Sequence, residues 1–258
     1  MKREIGTRTE IIDNSPTTIS VKNLHKSFRL PTEQAFGLKQ AFFNRLRGIK
    51  GYTEQKVLKG LTFDIKRGEF VGIIGRNGSG KSTLLKILAG IYYPQKGDVV
   101  VNGNLVPFIE LGVGFNYELT GRENVYLNGA MLGFSNEEMD AMYDDIWDFA
   151  ELKEFQDQKL KNYSSGMQVR LAFSVAIRAR GDILLLDEVL AVGDAAFQEK
   201  CNNYFESLRD NKQTVILVTH SMENVKKFCN RAILIEDGKI IADGDPKSVS
   251  DKYLKLWS

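Results

Sequence analysis

The glycine-rich segment at residues 75–82, which reads Gly-Arg-Asn-Gly-Ser-Gly-Lys-Ser, constrains the fold of this 258-residue chain more than any other feature. A short, continuous apolar run at residues 70–74 precedes it, and a helical pattern at residues 81–89 follows it. Continuous apolar runs of this length are typical of strands that are buried on both faces of a sheet. The segment therefore predicts a strand, a tight glycine turn and a helix in immediate succession, as in an α/β fold.

The residues of this turn are those that a polyphosphate site needs. A dense anion is bound by inward-pointing backbone N–H groups, by glycines that let the chain approach, and by a helix N-terminus. The spacing fits GxxxxGK[ST], so we expect Lys81 to reach the β and γ phosphates of a nucleoside triphosphate and Ser82 to ligate Mg²⁺. A glycine turn with a chance lysine is the alternative, and the flanking strand and helix argue against it. The predicted phosphate-binding residues are Gly75, Arg76, Asn77, Gly78, Ser79, Gly80, Lys81, Ser82 and Thr83.

Polar residues end two further apolar runs. Asp187 and Glu188 follow the run at residues 183–186, and His220 follows the run at residues 215–218. Open α/β sheets bind their ligands at the carboxyl ends of their strands. We therefore predict that Asp187 holds Mg²⁺, directly or through water, and that Glu188 polarises the water that attacks the γ-phosphate. His220 is predicted to contact the γ-phosphate or that water.

The remaining pattern predicts one domain over residues 1–258. Apolar runs, including one at residues 232–235, alternate with helical segments, which favours a mostly parallel sheet with helices on both sides. Residues 115–180 are mainly helical in pattern and include a capping box in which Glu138 follows Ser135 by three residues. Strand-like segments are expected at residues 18–21 and 57–63, with an insertion at residues 31–56 between them.

Composition excludes several classes of protein. The chain is 43% apolar and 26% charged, and no apolar run approaches the roughly 18 residues of a membrane span. Its start lacks the apolar stretch of a secretory signal, so we expect a cytoplasmic protein. The formal net charge of +2 is too small to indicate nucleic acid as a partner. Cys201 and Cys229 have no metal-ligand spacing and are expected to be free thiols.

The segment at residues 163–167, Tyr-Ser-Ser-Gly-Met, resembles the signature of the ATP-binding cassette (ABC) family. With the glycine loop, the acidic pair and His220 in this order, the resemblance covers nearly the whole chain. It implies an α/β fold with a P-loop NTPase (RecA-like) core, a mostly parallel sheet, an antiparallel β part and an inserted helical subdomain at residues 115–180. It also implies that ATP and Mg²⁺ are the cofactors.

The family works as a head-to-tail homodimer, and this resemblance implies further site residues. Ser164, Ser165 and Gly166 would contact the γ-phosphate held by the partner, and Asp194 matches an interface aspartate. The residue pattern agrees, because Ser164 can cap the helix that follows and so direct its N-terminus at an anion. An aromatic ring usually stacks on adenine, and Phe28 or Tyr52 could supply it.

Departures from the commonest family pattern indicate a branch. Tyr163, Ser165 and Met167 replace Leu, Gly and Gln, and Val189 replaces a proline. Glu110 stands where a glutamine usually contacts Mg²⁺ and the attacking water, so Glu110 is a further candidate metal ligand. Together with residues 108–115, 119–124 and 187–194, these departures resemble the polysaccharide-exporting branch, and within it the ATPase subunits of wall teichoic acid exporters.

That resemblance implies a peripheral protein at the cytoplasmic face of the cell membrane, bound to two copies of a membrane-spanning permease through residues 118–133. The cargo would be lipid-linked wall teichoic acid, reached through the permease. Another lipid-linked glycan, such as O-antigen or capsule, is the alternative. A soluble cassette that acts on ribosomes or DNA is a second hypothesis, but ribosomal members of the family usually carry two cassettes in one chain and chromosome-type members carry long coiled coils, for which this sequence has no sustained heptads. A regulatory module without turnover is a third hypothesis, and Lys81, Asp187, Glu188 and His220 argue against it.

The insertion carries an amphipathic pattern, with apolar residues at helical spacing and no acidic residue in residues 38–52. A helix packed on its own domain and a helix on an anionic membrane surface both fit this pattern. The resemblance favours the membrane, near the entrance for a lipid-linked glycan. The candidate membrane-facing or substrate-facing residues are Phe42, Arg45 and Arg47.

Overall fold

A computed structural model describes residues 17–31, 52–108, 112, 114–187 and 194–257. Short 3₁₀ turns lie at Lys153–Phe155 and Leu160–Asn162. In chain order the described helices and strands are β1 (Thr17–Pro31), β2 (Tyr52–Lys66), β3 (Phe70–Ile74), α1 (Lys81–Leu88), β4 (Lys96–Val101), β5 (Leu105–Phe108), α2 (Gly121–Met131), α3 (Asn136–Ala150), α4 (Ser165–Ala176), β6 (Ile183–Asp187), α5 (Ala195–Asp210), β7 (Thr214–Val218), α6 (Met222–Phe228), β8 (Arg231–Glu236), β9 (Lys239–Gly244) and α7 (Pro246–Trp257).

The larger sheet has six strands in the order β5-β6-β7-β3-β8-β9. Its first five strands run parallel, and β9 pairs antiparallel to β8. The four predicted strands at residues 70–74, 183–186, 215–218 and 232–235 are confirmed as β3, β6, β7 and β8. The predicted helix at residues 81–89 is confirmed as α1.

Both faces of this sheet are covered, which explains the continuous apolar runs. On one face, alternate residues such as Ile183 and Leu185 pack with α1 and with the smaller sheet. On the other face, Leu184 and Leu186 pack with phenylalanines of α4, α5 and α6. Because strand side chains alternate between faces, both sets must be apolar.

The smaller sheet is antiparallel, in the order β2-β1-β4. The predictions of strands at residues 18–21 and 57–63 were too short, since β1 and β2 pair from Thr17 opposite Lys66 to Pro31 opposite Tyr52. Residues 52–56, assigned above to the insertion, belong to β2. The extension is polar and is held by backbone pairing and cross-strand contacts, which an apolar pattern does not reveal. The predicted amphipathic helix falls on residues outside the described ones.

Helices α2, α3 and α4 surround a separate apolar cluster that includes Trp147, Ile146 and Leu171. The predicted capping box at Ser135 and Glu138 is confirmed at the start of α3. A second one, formed by Thr120 and Glu123, begins α2. Helix α4 also reaches the six-stranded sheet through Phe173, so it joins the helical cluster to the sheet. Among the described residues, no helix combines the length and the apolar character needed to cross a membrane.

Candidate functional site

The topology brings three predicted site segments to one edge of the larger sheet. Strands β6, β7 and β3 are adjacent and parallel, so their carboxyl ends lie together. Asp187 ends β6, His220 follows β7, and the glycine loop at residues 75–80 follows β3. The edge therefore carries a carboxylate, an imidazole and the loop, as strand-end reasoning predicted.

The loop is packed so closely that two of its glycines cannot be replaced without a shift. A Cβ atom on Gly75 would lie 2.2 Å from the carbonyl oxygen of Ile235. Gly80 has a φ of +109°, and its Cβ would lie 2.7 Å from Leu58 Cδ2. The glycines thus let the loop pass between β8 and the smaller sheet.

Gly80 is the N-cap residue of helix α1 and provides no side-chain cap, and the first turn of the helix contains no acidic residue. The first N–H groups of a helix have no intrahelical partner, and the N-terminus carries a partial positive charge. In most helices a side-chain oxygen or an acidic residue compensates for this. The start of α1 is therefore suited to an external anion.

Lys81 adds a positive charge within this turn. Its side chain is buried, at 6% exposure, and its ammonium group donates hydrogen bonds to the carbonyl oxygens of Gly75 at 2.7 Å and Arg76 at 3.0 Å. The Ser79 hydroxyl is buried beside it, and among the described residues it has no hydrogen-bond partner. Phosphate oxygens fit this combination of an ammonium group and backbone donors.

A cavity of about 700 Å³ opens over the loop and brings six of the nine predicted phosphate-binding residues together with Asp187. Its wall also contains Phe28, whereas Tyr52 does not line it and instead lies under the Arg29 guanidinium, 4.7 Å from the ring centroid. Hydroxyl and carboxylate oxygens are ligands that Mg²⁺ accepts, so Ser82 and Asp187 could hold the ion here. The lining residues are Phe28, Gln55, Val57, Asn77, Gly78, Gly80, Lys81, Ser82, Thr83, Asp187 and Val218.

A second cavity of about 390 Å³ is lined by Gly75, Arg76, Asn77, His220 and Tyr253. Asn77 lines both cavities, so the two adjoin. His220 is exposed and faces this second cavity.

Tyr253 is a candidate site residue that the sequence analysis missed. It reaches the second cavity because α7 packs against β8 and α6, where Tyr253 covers the apolar cluster around Leu234 and Val249. An isolated tyrosine near the end of a chain carries no local motif. Only the docking of α7 places it beside the loop.

The signature residues Ser164, Ser165 and Gly166 line neither cavity. Ser164 is the N-cap of α4, as predicted, and its hydroxyl accepts a hydrogen bond from the Met167 N–H at 3.2 Å. Ser164 and Ser165 are exposed, and Gly166 is half-buried. Tyr163 points inward and donates a hydrogen bond to the carbonyl oxygen of Phe155 at 2.6 Å. Burial raises the pKa of Tyr163 to about 12, so its hydroxyl stays protonated and anchors the turn before α4.

Asp194 caps helix α5. One carboxylate oxygen accepts from the Phe197 N–H at 2.9 Å, and the other lies 3.3 Å from the guanidinium of Arg170. The side chain remains 63% exposed and so can also meet another molecule. The remaining predicted site residues, Glu110, Glu188, Phe42, Arg45 and Arg47, lie outside the described residues.

Comparisons with known proteins point in one direction. Residues 58–191 match the family model described as ABC transporter. The ABC transporter protein AbcA of Aeromonas salmonicida is 42% identical over 94% of this chain and 77% of its own length. The O-antigen export system ATP-binding protein RfbB of Klebsiella pneumoniae is 38% identical over 91% of this chain and 96% of its own length. The teichoic acids export ATP-binding protein TagH of Bacillus anthracis is 36% identical over 91% of this chain, which spans 42% of that protein.

Solved structures agree with the sequence comparisons. A dimeric, post-hydrolysis structure of the ATP-binding cassette MJ0796 bound to ADP and Pi matches with a TM-score of 0.69 at 25% identity. The match covers 88% of this chain and 98% of that one. The predicted α/β fold class, with a P-loop NTPase core and both parallel and antiparallel strands, is confirmed.

Proposed function

This chain belongs to the ABC transporter family, and on that premise we propose that it is the ATP-hydrolysing subunit of a membrane exporter of lipid-linked polysaccharides. The observation that carries the ATPase part is the large cavity, in which the glycine loop, Lys81, Ser82 and Asp187 converge. An anion-binding loop next to a carboxylate at a strand end is what a magnesium-nucleotide site needs.

In this proposal each described residue has a stated task. Backbone N–H groups of the loop and of the first turn of α1 bind phosphate oxygens, and Lys81 exchanges its loop carbonyls for the β and γ phosphates. Ser82 and Asp187 hold Mg²⁺, which neutralises charge on the phosphates when it is bound. Phe28 stacks on the adenine ring from the cavity wall, and its place there supports it over Tyr52.

The water-activating step is assigned to Glu188, the residue after Asp187, as general base. His220 is assigned to the γ-phosphate end of the site, because it lines the cavity beside Gly75, Arg76 and Asn77. We further propose Glu110 as an additional contact to Mg²⁺.

A second copy of the chain would complete the site. Ser164, Ser165 and Gly166 lie at the exposed start of α4 and line neither of the chain's own cavities, which supports a contact with the nucleotide of a partner. Asp194 is exposed enough to join the same interface. ATP would close the homodimer, and hydrolysis would reopen it and drive two permease subunits between states.

For the cargo we propose lipid-linked wall teichoic acid, moved across the cytoplasmic membrane from a peripheral position at its inner face. The resemblance to TagH proteins supports this cargo, while the similarity to RfbB proteins equally supports O-antigen as the alternative. Residues 118–133 would contact the permease. Phe42, Arg45 and Arg47 would face the membrane or the lipid-linked substrate.

The test is to isolate tagged Glu188→Gln protein with ATP from source membranes and to identify the protein and lipid that co-purify. Loss of the base should trap the closed dimer on its partners, and Lys81→Ala, which loses the phosphate contacts, is the control that should not be trapped. A multi-span permease with a teichoic acid precursor supports the full proposal, and another glycolipid changes the cargo alone. Co-purification of ribosomes, or of no membrane protein, would overturn the proposal that this chain serves an exporter. Adding Arg45→Glu and Arg47→Glu to Glu188→Gln should remove the lipid, and its retention would exclude the insertion from substrate contact.

A further inference from the structure

Gln55 lines the large cavity but has no task in the function proposed above. It lies on β2 directly opposite Phe28 of β1, as a Cα pair of the antiparallel ladder. Side chains of directly opposed residues project from the same face, with Cβ atoms about 4.5–5.5 Å apart. Whatever contacts the Phe28 ring therefore lies within reach of the Gln55 amide.

The same face of the β1–β2 ribbon continues toward the glycine loop. Val57, two residues after Gln55, also lines the cavity, and its carbonyl oxygen would lie 3.1 Å from a Cβ atom on Gly80. Two strand residues span about 7 Å. Val57 thus marks the phosphate end of the cavity, and Gln55 lies further out, where a nucleotide bound by its phosphates would place its base.

The Phe28 ring is held in place. Tyr92 contacts it edge to face, with ring centroids 5.6 Å apart, and the Lys26 ammonium lies 5.4 Å from its centroid. The preceding residue, Ser27, is bound on both backbone groups by the Gln95 side chain, at 2.8 and 2.6 Å. Because the Phe28 ring is fixed, the plane of a base that stacks on it is fixed as well. The edge of that base then faces the neighbouring Gln55 side chain.

From this geometry we infer that Gln55 is a specificity-determining residue that hydrogen-bonds the edge of the nucleobase stacked on Phe28. The inference rests on the proposed function. A glutamine amide offers one acceptor oxygen and two N–H donors. Adenine presents an amino donor next to a ring-nitrogen acceptor, and an amide can pair with both at once.

A carboxylate at this position would reverse the preference. It has acceptors only, so it can take the two neighbouring N–H donors of guanine but offers nothing to the adenine ring nitrogen. Gln55 is exposed, so Gln55→Glu leaves the core unchanged. The two amino acids also have nearly the same shape.

The experiment measures the Kd of the 258-residue chain for MgATP and for MgGTP by isothermal titration calorimetry. We expect Gln55→Glu to shift the ratio of the two affinities toward GTP by about tenfold. Phe28→Ala should weaken both nucleotides by similar factors, since stacking tolerates either base. Lys56→Arg is the matched control, because Lys56 neighbours Gln55 on the opposite face of β2, and it should leave the ratio unchanged.

The outcomes separate this inference from the function on which it rests. If the wild type binds ATP, Lys81→Ala abolishes that binding and Gln55→Glu keeps the wild-type ratio, the role of Gln55 is wrong and the nucleotide site stands. A wild-type chain that binds neither nucleotide overturns both. A shift toward GTP in Gln55→Glu but not in Lys56→Arg supports the inference, because a merely structural role would not change the ratio.

Discussion

Burial decides the reactivity of the two cysteine thiols, Cys201 and Cys229. The Cys201 thiol is fully buried beside the phenylalanines under the larger sheet, whereas Cys229 is half-buried, with its sulfur 3.0 Å from where a Cβ atom on Gly72 of β3 would lie. Burial raises the pKa of Cys201 to about 12 and also raises the pKa of Cys229 far above its usual value. The thiolate is the reactive form, so both groups are inert near neutral pH.

We therefore predict that neither thiol of the folded protein reacts with a thiolate-selective disulfide reagent at pH 8, and that both react in denaturant. The raised pKa of Cys201 also makes the free energy of unfolding depend on pH. The contribution of this thiol to stability is complete below about pH 9, the usual pKa of a thiol, and is lost as pH rises toward 12. The absorbance change of the disulfide reagent at pH 8 follows the reaction of the thiols. Urea unfolding midpoints from pH 8 to 11 test the pH dependence of stability. The Cys229→Ala variant shows which of the two thiols reacts. A thiol that reacts at once in the native protein would contradict the raised pKa assigned to it.

Two helices begin with a serine N-cap that accepts the same side-chain hydrogen bond, but they differ in what lies beyond the cap. Ser135 at the start of α3 and Ser164 at the start of α4 each accept a hydrogen bond of 3.2 Å from the N–H three residues on. Changing either residue to Ala should lower the free energy of unfolding by about 1 kcal/mol. Only Ser164→Ala should also reduce ATP hydrolysis strongly, because Ser164 is proposed to contact the partner's nucleotide.

Ser135→Ala serves as the matched control for that prediction, since it removes a hydroxyl hydrogen bond of the same length. Urea unfolding gives the stability loss of each variant, and phosphate release gives the rate. Equal rates in the two variants would mean that Ser164 acts as a cap alone.

The Arg231 guanidinium links the two sheets of the molecule. Arg231 on β8 bonds both carboxylate oxygens of Asp243 at 2.7 Å, lies 3.2 Å from Glu69, and donates to the Asp64 carbonyl of β2 at 2.8 Å. The Asp243 carboxylate raises the pKa of Arg231, so the charge persists at any ordinary pH. Arg231→Met leaves the partly buried carboxylates of Asp243 and Glu69 without their cation, although Glu69 keeps its hydrogen bond from the Lys66 N–H, and should cost about 2–3 kcal/mol of unfolding free energy.

Arg122→Met is the control at this scale. Arg122 pairs with Asp157 at 2.9 Å, but the two side chains are 45% and 72% exposed, so solvent screens the pair and its loss should leave the urea midpoint nearly unchanged. If Arg231→Met and Arg122→Met lowered the urea midpoint equally, the role of Arg231 as a link between the sheets would be contradicted.

Much of this protein is readable from its sequence because the signals are local. The run at residues 70–74 is apolar on both faces, the glycine loop follows it at once, and the Ser135 and Ser164 caps each depend on a few consecutive residues. The convergence of Asp187, His220 and the loop could also be predicted, because parallel strands present their carboxyl ends at one edge.

Other features depend on contacts between distant segments. The polar half of the β1–β2 ribbon carries no apolar pattern, so its length is decided by pairing and by contacts such as that between Ser27 and Glu54. Tyr253 reaches the loop only through the docking of α7. Strand register also decides that Phe28 lines the cavity and Tyr52 does not, and that Gln55 lies beside Phe28. A one-residue slip would turn these side chains to the other face, and local sequence does not specify that register.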